Sequence, residues 1–404
     1  MSKTKFKNNM FNTAERDELH KQLEEEVNEE RYSFLVDIRD KNKKRPTDEN
    51  YDPSTLYISE TTMSQLKPFE KQYWRIKKDN FDVVIFFAKG MFYELYENDA
   101  DIGAKEFDWK IANRVNMRMA GVPKPAFKEY ASKLLMLGYK VGVVDEMETS
   151  EEMKKRGNTI VVNGKREPNI VRRELRRVYT TSTITDIELN KDASDMFCMA
   201  LVSNGCNVGV CYGDASVGRF FLGFIEDTDL HNNLHTLLHR MHPKEILLTK
   251  EIPDEILHIC KNLGFAEITT VPVVEDSRNV LNIFNQRGKV PKVIEQFTDN
   301  EYVMSALSMI HDYFETLYVP SSTMINGTYG EYQTISQDYL IIDAQSIVNL
   351  ALFNKNRNDK EGTLLHFIDN CDTAFGKRML RERFLLKPLM DVHKILKRQE
   401  VIKF

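Results

Sequence analysis

The chain has 404 residues, 42% apolar and 29% charged, which at roughly 100 to 200 residues per domain makes two to four domains, each able to bury a core. It has no run of about 18 uncharged apolar residues to span a bilayer and no apolar core behind its first residues to serve as a secretory signal. Its five cysteines include no C-x-x-C pair for a zinc site or disulfide framework, which leaves a cytosolic or nuclear protein with reduced thiols. The net charge is −5, yet residues 71–180 hold 22 Lys and Arg against 16 Asp and Glu, so the other residues carry −11 and the basic segment is the part suited to a polyanion.

Residues 1–30 are polar, with Glu24, Glu25, Glu26, Glu29 and Glu30 lacking the apolar spacing of a packed helix, and read as a solvated arm. Short apolar pieces and turn residues then make a tether as far as Ile58. Val83 to Phe87 is a buried-strand run, Lys89-Gly90 a turn, and Phe92-Tyr93-Glu94-Leu95-Tyr96 alternates with period two. Pro125 opens a helix whose apolar residues Phe127, Tyr130, Ala131, Leu134 and Leu135 share one face, and Gly138 closes it. Strands follow at 139–144 and at the basic stretch 171–178. After a polar separator near 186–192 comes a second α/β unit, with strands at 197–202, 208–212, 219–225 and 245–248, a helix near 231–240 and another near 302–317. The region from 331 onward reads as helical, and the sequence stops without a C-cap signal, as a fragment would.

Alternation puts Phe92 and Glu94 on the same face of their strand. An aromatic ring beside a carboxyl suits the reading of a weakened base pair, in which the ring wedges into a base step from the minor groove and the carboxyl bonds the edge of the base it meets. The tripeptide alone is equally what any half-buried strand contains. Its neighbours give it weight. Gly90-Met91-Phe92-Tyr93-Glu94-Leu95-Tyr96, Asp99-Ala100, Met119-Ala120-Gly121-Val122-Pro123, Tyr130-Ala131 and Leu137-Gly138-Tyr139-Lys140-Val141 resemble, in order and spacing, the mismatch-binding domain of the MutS family. Val171-Arg172-Arg173-Glu174 with Thr180-Thr181-Ser182-Thr183 looks like that domain's exit strand. Gly213-Asp214-Ala215-Ser216-Val217-Gly218-Arg219-Phe220-Phe221 looks like the family's connector. Leu340-Ile341-Ile342-Asp343-Ala344, Gly362-Thr363-Leu364-Leu365 and Thr373-Ala374-Phe375-Gly376-Lys377-Arg378 look like the start of its lever.

The resemblance implies a multi-domain α/β protein: a polar arm and tether over 1–60, an α+β mismatch-binding domain over 61–184, an RNase H-like α/β connector over 185–330 and the start of a helical lever/core domain over 331–404. Tyr32-Ser33-Phe34-Leu35-Val36-Asp37-Ile38 and Ser54-Thr55-Leu56-Tyr57 resemble the eukaryotic mismatch-reading branch, homologue six. What is implied is recognition of base–base mismatches and small insertion/deletion loops in duplex DNA, in the nucleus, as one subunit of a heterodimer with a MutS homologue 2-like partner. Phe92 and Glu94 would read the mispair. Lys89, Met91, Arg172, Arg173, Arg176 and Arg177 are the candidates for backbone contacts, and a charged exposed strand is an equal reading of the four arginines. Met91 stands where the family usually has a charged residue, and Asp145-Glu146 replaces its usual Glu-Gln.

No G-x-x-x-x-G-K-[ST] loop is present, since Gly376-Lys377 is followed by Arg378 and lacks the earlier glycine. The chain is accordingly expected not to be an enzyme and to hold no cofactor, with ATP and Mg belonging to a full-length protein and no membrane partner. Two other chemistries compete. Asp214, Glu226 and Glu245 offer the carboxylates of a metal-dependent nuclease, and His231, His235, His239 and His242 recur at the spacing of a zinc-binding helix face, although solvated histidines on an amphipathic helix give the same pattern. A scaffold subunit that does not read DNA is the third alternative.

Overall fold

The computed structural model describes residues 32–114, 116–157, 161–162, 165–166, 170–183, 196–285, 290–332, 339–352 and 361–402; the polar arm expected at 1–30 lies outside them. Among the described residues no helix is long and apolar enough to cross a membrane. The chain divides into two compact units, one of residues 1–124 with 142–176, the other of 125–141 with 177–404.

The first sheet contains β1 (Val83–Lys89), β2 (Phe92–Tyr96), β3 (Ala112–Arg114), β4 (Met117–Pro123), β5 (Lys140–Glu146) and, beyond a two-residue ladder of β6 (Val161–Val162) with β7 (Lys165–Arg166), β8 (Arg173–Tyr179). The order across it is β3-β4-β2-β1-β5-β8. β1 is buried over its whole apolar run, as a central strand covered on both faces must be. The helix Pro68–Lys77 starts with Pro at its first turn, and the Glu70 carboxylate accepts from the Lys67 backbone N–H at 2.8 Å. It is pinned by charge in the interior. Lys77 Nζ donates to Asp99 Oδ1 at 2.7 Å and to the Val83 carbonyl at 2.6 Å, while Asp99 Oδ2 accepts from Tyr73 and from the Ile85 N–H. Burial raises the Asp99 carboxyl above its usual range, and Lys77 opposes that shift. A buried pair whose remaining bonds are filled in this way fixes the helices and β1 in one register.

The second sheet runs β13-β12-β9-β10-β11-β14, with β9 (Cys198–Asn204), β10 (Asn207–Asp214), β11 (Arg219–Glu226), β12 (Glu245–Leu248), β13 (Glu267–Thr270) and β14 (Thr328–Glu331). β9, β10 and β11 form an antiparallel meander, whereas β12, β13 and β14 add in parallel. This is a mixed α/β sheet. The helix Glu301–Thr316 lies against β9, β10 and β11. Gly209 allows that approach, because a Cβ there would stand 2.2 Å from the Tyr302 backbone. Farther along, the described residues are mainly short helices, ending in Val392–Ile402.

Candidate nucleic-acid interface

Lys89 and Phe92 pair across the β1–β2 ladder, so Gly90 and Met91 form a two-residue loop. Gly90 takes φ +60° with no atom within 4 Å of a would-be Cβ; the demand there is conformational, and glycine meets it at no steric cost. At this tip Met91 is 73% exposed and Phe92 48%, while Glu94 is 4% exposed and Tyr96 1%. Phe92, Glu94 and Tyr96 share one face of β2, which therefore runs from open solvent into the core within five residues.

A buried carboxylate needs partners, and Glu94 has three. Its Oε2 accepts from Lys89 Nζ at 3.0 Å and from the Tyr96 hydroxyl, and its Oε1 accepts from Arg114 Nη1 at 3.0 Å. Alternation places the carboxyl on the strand face that carries the ring, and both of its oxygens are engaged there. Lys89 also stands over the Phe69 ring at 5.0 Å. Across the ladder Glu94 faces Gly121, where a Cβ would meet only Met119 Cε at 3.8 Å. The strip beside the carboxyl is thus open on the β4 side.

The four arginines of the basic stretch part ways. Arg173 is buried: its guanidinium donates to the Ala88 carbonyl at 2.6 Å, the Val171 carbonyl at 3.0 Å, Gln72 Oε1 at 3.3 Å and Glu146 Oε1 at 2.7 Å, and it stands over the Phe69 and Phe87 rings. The guanidinium that the sequence offers as a backbone contact is thus engaged within the domain, where it ties β1, β5 and β8 together. Arg172 and Arg176 are exposed on the opposite face of the strand, and Arg177 is half-buried over Tyr179 at 5.6 Å. The side chains of Lys165 and Arg166 lie outside the described part. The unusual pair Asp145-Glu146 acts within the sheet: Asp145 accepts from the Tyr93 hydroxyl at 3.3 Å and Glu146 pairs with Arg173.

The carboxylates of the nuclease alternative are not brought together. Asp214 accepts from Ser216 and the Met196 N–H at the end of β10, Glu226 is exposed opposite Asn207, and buried Glu245 accepts from the hydroxyls of Thr180, Ser182, Thr269 and Tyr313. Nor do the four histidines converge on one point; among the described residues the single cluster with ion-binding spacing is His311, Asp312 and Glu315. The helix Asn232–Met241 does bury Leu234, Leu237 and Leu238, and its own histidines His235 and His239 are half-buried, whereas His231 and His242, which flank it as caps, are buried, and His242 stacks on Phe265 at 3.8 Å between ring centroids. Gly376-Lys377 falls inside the helix Ala374–Leu380, where the Gly376 N–H donates to the capping Thr373 hydroxyl, a turn with no cradle for phosphate.

Tyr96 and Arg114 are the partners of Glu94 that the sequence did not single out. Tyr96 carried a usable signal, the parity it shares with Phe92 and Glu94. Arg114 carried none.

The sequence matches the family model for MutS domain I over residues 67–188, for MutS domain II over 196–318 and for MutS domain III over 345–404. It is similar to DNA mismatch repair protein MSH7 of Arabidopsis thaliana, 32% identical over 91% of this chain and 34% of that protein. It is also similar to DNA mismatch repair protein MSH6 of Saccharomyces cerevisiae, 28% identical over 93% of this chain and 32% of that protein, and to Msh6 of Homo sapiens, 28% over 90% and 31%. The chain spans about a third of the length of these relatives.

Proposed function

Because the chain belongs to the MutS family, we propose that it reads mispaired and looped-out bases in duplex DNA, Phe92 entering a base step from the minor groove while the Glu94 carboxyl bonds the edge of the base it meets. One observation carries this reading: a half-exposed ring at the tip of a two-residue hairpin, with a buried, anchored carboxyl two residues behind it on the same face. A phenylalanine that is 48% exposed leaves about half of its apolar surface without a partner in the fold. A base stack gives it a partner.

The mechanism is energetic. Unstacking a step costs on the order of a few kcal/mol, and a mispair has already forfeited part of that stacking and pairing, so the same wedge is cheaper there. Each 1.4 kcal/mol of that difference is roughly tenfold in affinity. A bare carboxylate near phosphates would be repelled, but Lys89 and Arg114 beside Glu94 offset its charge. Met91 at the tip and the exposed Arg172 and Arg176, with Arg177, are the proposed backbone contacts. The proposal extends to a nuclear heterodimer with a MutS homologue 2-like subunit, and to ATP and Mg bound by residues outside this chain.

The test is a titration of the chain, alone and with such a subunit, against duplexes that differ only in one mispair. Preference for the mispaired duplex supports the reading. Equal affinity for both makes the chain a scaffold, and Mg-dependent cleavage of either makes it a nuclease.

A further inference from the structure

Resting on that reading, we infer that Tyr96 is a positioning residue for mispair recognition: it fixes Glu94 through Oε2, so that Oε1 is the oxygen presented to the base and Arg114 is the displaceable cover over it.

The two carboxylate oxygens have unlike partners. Oε2 is held by the Tyr96 hydroxyl and by Lys89, whose side chain is 27% exposed, while the described donor to Oε1 is Arg114, 58% exposed. Tyr96 cannot give way. Its ring is packed edge-on against Phe69, Tyr73 and Phe87 at centroid distances of 5.6, 5.1 and 6.0 Å, and it is 1% exposed, so the position of its hydroxyl oxygen is set by the core rather than by rotamer choice. Burial, followed by the hydrogen bond to Glu94, holds the phenol far above its usual range, and it remains a proton donor at any working pH. Arg114 sits at the end of the edge strand β3, all three residues of which are exposed. Its guanidinium can exchange the carboxylate for a phosphate without disturbing a packed side chain. An arriving duplex supplies that phosphate, and the exchange frees Oε1 while Oε2 stays anchored. The carboxyl is therefore aimed by the interior and uncovered by the ligand.

The experiment is an anisotropy titration of the chain with its MutS homologue 2-like partner, giving the ratio of Kd for paired to mispaired duplex. Four variants are compared: Tyr96→Phe, Glu94→Ala, both together, and Arg114→Ala. Tyr96→Phe removes one oxygen and keeps the packed ring. It should lower the ratio by roughly three- to tenfold, the order of the net contribution of one typical hydrogen bond, while paired affinity stays within about twofold. In the Glu94→Ala background Tyr96→Phe should do nothing to the ratio, since no carboxyl is left to aim. Arg114→Ala, at an exposed site, should weaken both duplexes alike and preserve the ratio. An unchanged ratio in Tyr96→Phe overturns the inference, as does an equal loss in both backgrounds, which would mean that the hydroxyl acts on the hairpin as a whole. A loss at Arg114→Ala as large as that at Glu94→Ala would make Arg114 the anchor and reverse the two oxygens. A Glu94→Ala variant with full selectivity removes the carboxyl reading itself, and this inference with it.

Discussion

Replacing Phe92 by Ala separates the reading function from the fold more cleanly than any other change. The ring is 48% exposed at a hairpin tip, so about half of the 1.5 to 3 kcal/mol that a fully buried phenylalanine contributes is at stake, roughly 1 kcal/mol of stability. Lys89 and Glu94 keep their bond, because it does not pass through the ring. The cost to mispair binding is the lost stacking, about 1 to 3 kcal/mol per base, or roughly five- to 150-fold in Kd. A fully paired duplex that is not wedged should change by less than about twofold. The assay is the paired and mispaired titration, run beside thermal unfolding of the free protein. Equal weakening of both duplexes, or a large drop in melting temperature with no change in selectivity, would refute the wedge and leave Phe92 a packing residue. Glu94→Gln is the companion variant. It relieves the repulsion of phosphates and loosens the hold on Arg114, so paired DNA should bind as well or more tightly and the selectivity ratio should shrink.

The arginines of β8 should divide by burial. Arg173→Ala should cost about 3 kcal/mol or more, because it removes the ion-pair partner of Glu146 and a donor to the Ala88 carbonyl, whereas Arg176→Ala should leave melting unchanged and reduce the salt slope of duplex binding by about one counterion; the opposite assignment in melting curves would reverse the two roles. Gly121→Val should fold normally, since a strand suits a β-branched residue and only Met119 is near, yet it should weaken mispair binding by filling the strip beside Glu94. Unaltered binding would place the base elsewhere. Acid should destabilise the unit that holds His235 and His239. Burial lowers both imidazoles, with His231 adding to the shift of the first and His235 to that of the second. The unfolded chain therefore takes up protons near pH 6.5 while the folded chain does not, so stability is present above about 6.5 and falls as the pH drops below it. Melting followed from about pH 7.5 to 5.5 should show this slope in the wild type and a smaller one in the His235→Gln/His239→Gln variant; equal slopes would locate the titrating groups elsewhere.

Much of this fold was legible because its strands are either continuously buried or alternating. The run from Val83 to Phe87 and the alternation from Phe92 to Tyr96 gave β1 and β2 with the turn between them, and the spacing of Leu234, Leu237 and Leu238 gave a helix with the correct inner face. β3 was invisible for the opposite reason. Ala112, Asn113 and Arg114 are all exposed, so no hydrophobic period marks them, and they pair because β4 offers an edge. With β3 went Arg114, twenty residues from Glu94 in sequence and 3.0 Å from it in space. Arg173 shows the other limit. Nothing local tells a core arginine from a surface one until Glu146, Ala88 and Gln72 converge on it. The histidines misled because His231 and His242 sit in left-handed conformations at the two ends of their helix, at φ 49° and 51°, and are buried there, which a helical wheel cannot represent.

The arrangement divides affinity from selectivity between different materials. Exposed cations such as Arg172 and Arg176 meet any duplex alike, because phosphates carry no sequence and no pairing information. On the proposed reading, Phe92 is the group whose gain depends on how readily a step opens, and Glu94 the one whose gain depends on which edge it then finds. A group that discriminates must not adapt to whatever it meets, since a flexible carboxyl would find some donor on any base. The rigidity that denies Glu94 this freedom comes from Tyr96 and the rings of Phe69, Tyr73 and Phe87 packed around it. The proposed selectivity is accordingly a property of core packing as much as of the surface offered to the duplex, and cavity-forming changes at Phe69 or Phe87 that spare the fold should erode it before they erode binding.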